Sequence, residues 1–125
     1  MFVMAQIGMN SNDLAGSLRL YTEAFGFSNA GGQCLWGKVM GVQGLDDDSR
    51  ALMWWIVGRQ KLAQLELFQF ARPVQRPLRA DWRPCDHGWV RFGIAVPDFD
   101  AKLVALACLG IPLLGSTLIA NGLRR

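Results

Sequence analysis

The 125-residue chain has one histidine, three cysteines and a modest charged fraction of 18%. No apolar run approaches the ~18 residues that a membrane-spanning helix needs. With a single histidine and no serine or cysteine nucleophile motif near it, a hydrolytic triad has no support. Cys34, Cys85 and Cys108 are odd in number and lack CxxC spacing. That pattern speaks against a disulfide framework or a zinc knuckle, and reduced thiols in a cytoplasm are the simpler expectation. Residues 1–9 are apolar but carry no basic stretch, and polar residues 10–13 follow at once, so no signal peptide is expected. The net charge is only +3. Its cations are scattered, apart from Arg72, Arg76, Arg79 and Arg83 in one loop and Arg124 with Arg125. No basic stripe is interleaved with stacking aromatics, so no nucleic-acid partner is expected.

What is present is apolar material, at 51% of the residues. That is enough for the core of one domain, with some left over for an oligomer interface. Residues 2–9 read as a buried strand. Ser11, Asn12 and Asp13 then supply N-cap chemistry, and Leu14, Leu18, Tyr21 and Phe25 recur on one helical face. Gly26 stops the helix. Gly31 and Gly32 read as a loop. Strands follow at 33–42, 51–57 and 62–70, separated by the acidic turn Asp46-Asp47-Asp48 and a polar turn at 58–61. In the last of these strands Leu65, Leu67 and Gln69 share one face, and Gln64, Glu66, Phe68 and Phe70 share the other. Residues 71–87 hold prolines among arginines and read as a linker. A strand at 89–96 leads to a second helix that Asp98 caps, with Phe99, Leu103 and Leu106 on one face; Gly110 and Pro112 end it.

Two stretches repeat. Gly8 to Leu14 matches Gly93 to Phe99 at an offset of 85, so that Asp13 pairs with Asp98 and Leu18 with Leu103. The helix ends, Phe25-Gly26-Phe27 and Leu109-Gly110-Ile111, correspond with one residue deleted. In this setting "GMNSNDLAGSLRLYTEAFGF", "LELFQF" and "VRFGIAVPDFDAKLVALACLGI" resemble the first helix unit, the fourth strand and the second-module start of the vicinal-oxygen-chelate superfamily (the glyoxalase, bleomycin-resistance and dioxygenase proteins). The resemblance implies an α+β fold of paired βαβββ modules with curved mixed sheets around a small-molecule cup. Residues 1–70 would form the first module, 71–87 the linker and 88–125 an incomplete second module.

The resemblance also implies where a site would lie. Metal-dependent members take ligands from a His or Gln on the first strand and a Glu on the fourth, with a His and a Glu from the second module. Gln6 and Glu66 stand at the first two positions. The repeat offset puts Arg91 at the third, and arginine has no lone pair to offer a metal. The fourth would fall beyond the last residue. No cofactor is therefore expected, with a divalent metal as the alternative if Gln6 and Glu66 are completed by His87 or by a partner chain. Arg91 could instead pair with Glu66 or hold an anionic ligand. Trp36 and Trp54 are candidates to line the cup, against the plainer reading of five tryptophans as packing. Residues 112–125 leave room for about one of the three remaining strands, around 116–120, so a homodimer is expected to close the open edge.

The first functional expectation is a small-molecule-binding protein that holds a planar apolar or anionic ligand without a family-type metal site. The alternatives are a metal-dependent lyase, isomerase or dioxygenase, and a non-catalytic interaction domain.

Overall fold

The computed structural model describes residues 6–60, 64–83, 85–88, 91–115, 119–120 and 123–124. Strand β1 spans Gln6–Asn10, helix α1 Leu14–Arg19, β2 Ser28–Trp36, β3 Arg50–Val57 and β4 Gln64–Arg72. These strands form one mixed sheet in the order β1-β4-β3-β2. β1 runs parallel to β4, whereas β2, β3 and β4 pair antiparallel. This is a βαβββ unit, as the sequence suggests. A second helix, α2 (Phe99–Cys108), follows, with two short strands β5 (Ile119–Ala120) and β6 (Leu123–Arg124) paired as a ribbon.

Strand alternation decides what faces what. Leu65 and Leu67 of β4 and Ile56 of β3 point to the helix side, where they form the core with Leu14 of α1. Ile7, Met9, Leu18, Tyr21, Phe27 and Trp54 pack around them. Burying each large aliphatic side chain in such a core contributes about 1.5–3 kcal/mol. Gln69 lies on the same face, and its Oε1 accepts a hydrogen bond from the Leu14 backbone N–H at 2.8 Å. A strand side chain thus satisfies one of the open donors at the start of α1.

The two helices obey one grammar. Asp13 accepts from the Gly16 N–H and Asp98 from the Ala101 N–H, both at 2.9 Å and both three residues into the helix. Both helices stop at a glycine in left-handed geometry, Gly26 at φ 71° and Gly110 at φ 71°. The residue deleted in the second copy has a structural counterpart. The first helix carries a π-helical turn, Leu20–Ala24, and its closing bond runs from the Phe27 N–H to the Tyr21 carbonyl. The second closes one residue shorter, from the Ile111 N–H to the Leu106 carbonyl. Replacing Asp98 with alanine is expected to cost about 1 kcal/mol and to fray α2, read by urea denaturation and by amide exchange in residues 99–102. Unchanged exchange there would remove the cap from the account.

Several expectations need correction. Gly31 and Gly32 lie inside β2, at a bulge between Asn29 and Gly32. The Asn29 Oδ1 accepts from the Gly31 N–H and from the Trp54 indole N–H, each at 2.8 Å. Trp54 lies opposite Gly32, and its ring occupies the space a side chain there would need. The strand expected over 33–42 ends at Trp36, and Gly37–Gln43 form a 3-10 helix instead, because Gly37 turns the chain at φ 72°. The strand expected at 89–96 is unpaired over 91–96; residues 89 and 90 lie outside the described residues, as do 2–5, 62–63 and 116–118 of the other expected strands. On α2, Phe99, Leu103 and Leu106 are half-buried, so the expected face is the inner one, though none of its residues is fully covered.

Candidate functional site

The beginnings of β1 and β4 lie side by side because the two strands are parallel, with Gln6 beside Gln64 and Gly8 beside Glu66. Gln6 and Glu66 therefore share the sheet face away from α1. The Gln6 Nε2 donates to the Glu66 Oε2 at 2.8 Å, and the Gln64 Nε2 donates to the Gln6 Oε1 at 2.9 Å. Gly8 leaves room for this chain: a Cβ there would touch Glu66 and the Phe68 ring. The sequence brings Gln6 and Glu66 to one place, as expected, and adds Gln64.

Arg91 does not join them. Among the described residues the ion pairs engage Arg19, Arg72, Arg79 and Arg83, and Glu66 takes its hydrogen bond from Gln6. The Arg91–Glu66 pair, one of the two readings of Arg91, does not form, because residues 91–96 do not enter the sheet beside β1. Arg91 is exposed. His87 is also exposed, in the turn that follows Arg83 and Asp86. The Arg83 guanidinium beside Asp86 lowers that carboxyl below its usual range.

The tryptophans separate by parity. Trp54 lies on the helix side against the core, and Trp36 is 61% exposed at the end of β2. Trp55, half-buried, is the residue directly across from Glu66. Strand parity in the sequence links Trp55 to the Glu66 face only once the β3–β4 register is known.

A cleft of about 690 Å³ opens where β1 and β4 begin. Gln6 and Gln64 border it at the strand starts. Phe25 and Phe27 reach it from the end of the first helix, and Phe92 from the segment leading to α2. Tyr21 holds these three rings together: its centroid is 5.7 Å from Phe27, edge-on, and 6.4 Å from both Phe25 and Phe92. Burial pushes the Tyr21 hydroxyl above its ordinary pKa. Arg59, from the β3–β4 turn, and Lys102, from α2, also line the cleft, and among the described residues no Asp or Glu does. The sequence reading looked to tryptophan for an aromatic lining and missed these phenylalanines. Their signal was there, since Phe25 and Phe27 flank the helix stop.

A solved structure decides the fold. The crystal structure of a glyoxalase family protein from Bacillus cereus superposes with a TM-score of 0.77 over 88% of this chain and 73% of that one, at 19% identity. The fold is glyoxalase-like. No family model and no curated protein matches the sequence. Among the described residues no helix is long and apolar enough to cross a membrane.

The metal that many glyoxalase-like proteins use does not fit the donors present. Gln6 and Glu66 supply two, bonded to each other, and Arg91, which the repeat pairs with Gln6, is exposed outside the sheet and has no lone pair to give. Among the described residues no three His, Cys, Asp or Glu side chains gather. We expect purified protein to carry well below one divalent ion per chain. About one zinc, nickel, iron or manganese by elemental analysis, lost in Glu66→Ala, would overturn that.

Proposed function

We propose that the chain is a small-molecule-binding protein of the glyoxalase type that works without a family-type metal site. It takes a planar apolar or anionic ligand. The observation that carries this reading is the junction of two features. The Gln64–Gln6–Glu66 network, on the sheet face away from α1, springs from the strand starts that border a cleft lined by three phenylalanines. A few polar groups beside an apolar cleft are the usual means of orienting a small ligand. The size of the cleft falls within the ~300–1,000 Å³ range of such sites. A metal-dependent lyase, isomerase or dioxygenase would need two further donors from elsewhere.

A cytoplasmic setting accords with three free, exposed cysteines, Cys34, Cys85 and Cys108. A homodimer accords with the outer edge of β1, unpaired among the described residues, and with exposed Leu113 and Leu114. Sedimentation equilibrium at micromolar concentration tests it, and a stable monomer would remove it.

The binding reading is tested by ligand-observed NMR with a library of aromatic and carboxylate fragments. Hits are expected to perturb amides at 25–27, 58–60 and 92–97, and Phe27→Ala is expected to weaken them. A folded protein that binds no fragment, or binds only away from these residues, would sink the proposal.

A further inference from the structure

The cleft lies at the junction of two parts of the chain, which meet where α2 packs beside the π-helical turn Leu20–Ala24. One wall belongs to the βαβββ unit, through Phe25, Phe27 and Arg59; the other belongs to the second repeat copy, through Phe92, Val96 and Lys102. Phe92 stacks on Tyr21 across the junction. α2 itself buries no residue fully. Each part also contributes one cation, and the ion pairs among the described residues engage neither Arg59 nor Lys102. Among the described residues the lining holds no carboxylate, and the cleft presents two positive charges beside three phenylalanine rings.

We infer that this site selects aromatic carboxylates and that the bound ligand fastens α2 to the βαβββ unit. The inference rests on the binding reading above and names its ligand class. An aromatic ring would stack among Phe25, Phe27 and Phe92, where edge and face contacts are favourable. The carboxylate would lie between Arg59 and Lys102, drawing one cation from each part. A ligand that bridges the two parts stabilises the joined arrangement by its own binding free energy.

The test uses three probes of equal size: benzoate, benzyl alcohol and benzylamine. Benzoate is expected to bind at least tenfold more tightly than benzyl alcohol, and benzylamine not measurably. Arg59→Met and Lys102→Met keep the apolar stems. Each is expected to weaken benzoate about three- to fivefold, and the double variant about tenfold or more, with benzyl alcohol unaffected. Benzoate binding should weaken as salt rises. Hydrogen exchange in residues 99–108 should slow when benzoate is added. Equal affinity for benzoate and benzyl alcohol, unchanged in both variants, would overturn the anion selection and leave the binding reading standing. Binding without slowed exchange in α2 would overturn the fastening. If no probe binds to folded protein while other fragments do, the ligand class is wrong; if nothing binds, the binding reading falls with it.

Discussion

Ile56→Ala is expected to lower the free energy of unfolding by roughly 2–5 kcal/mol. Ile56 is fully buried, opposite Leu65 on the neighbouring strand and in one cluster with Leu14 and Leu67. The cost of such a truncation depends on how far the surroundings can collapse into the space left. Here they have little freedom. β3 is paired on both sides, and Leu14 is tied to β4 by the Gln69 side chain. Equilibrium urea unfolding should show a lower midpoint at an unchanged slope. Leu52→Ala is the control: Leu52 shares the face but is 41% exposed, so its truncation should cost much less. Equal losses at the two positions would mean that α1 does not cover the sheet as described.

Gly32→Ala is expected to be as damaging, for the opposite reason. A Cβ at Gly32 would overlap the Met53 carbonyl oxygen and the Trp54 ring. The first is backbone of the adjacent strand and cannot rotate away. The second is held by its bond to Asn29. The cost should reach or exceed the ~3 kcal/mol upper end of ordinary overpacking. On a Trp54→Ala background the same change should cost less, because the ring is gone while the carbonyl stays; contacting residues are expected to be non-additive in this way. A fully stable Gly32→Ala protein would show that Trp54 does not cross the strand there.

The parts of this fold that were legible in the sequence are those fixed by neighbours along the chain. Asp13 and Asp98 bond to amides three residues away, and Gly26 and Gly110 act on the turn they terminate. The alternation in β4 likewise needs only a two-residue period: it sets Leu65 and Leu67 on one face and Glu66 on the other, and the first proves to be the helix-side face. What failed needed information from another strand. Gly31-Gly32 looks like a loop because glycine usually marks one; the indole that requires it comes from Trp54, on the adjacent strand. The choice of Trp54 over Trp55 as cup residue turned on register, which the sequence does not carry by itself. Pairing Arg91 with Glu66 assumed that both copies of the repeat would build a strand. The cap, helix and stop recur in the second copy, while residues 91–96 stay unpaired. The phenylalanines of the cleft converge through tertiary packing from positions far apart in the chain.

The π-helical turn has a bearing on how this chain tolerates changes of length. Counting from cap to stop, the first helix is one residue longer than the second, yet both begin and end in the same way. The aspartate and the glycine behave as two fixed anchors, and the surplus residue is taken up as slack between them, in a wider winding at Leu20–Ala24. An inserted residue in an ordinary helix rotates everything after it by about 100°, which follows from 3.6 residues per turn. Absorbed in a π-turn, it leaves the exit direction alone, so β2 still enters the sheet in register. A single-residue deletion within 20–24 is therefore the length change this fold is best prepared to absorb, and the same deletion in β3 or β4 would exchange the two faces of the sheet.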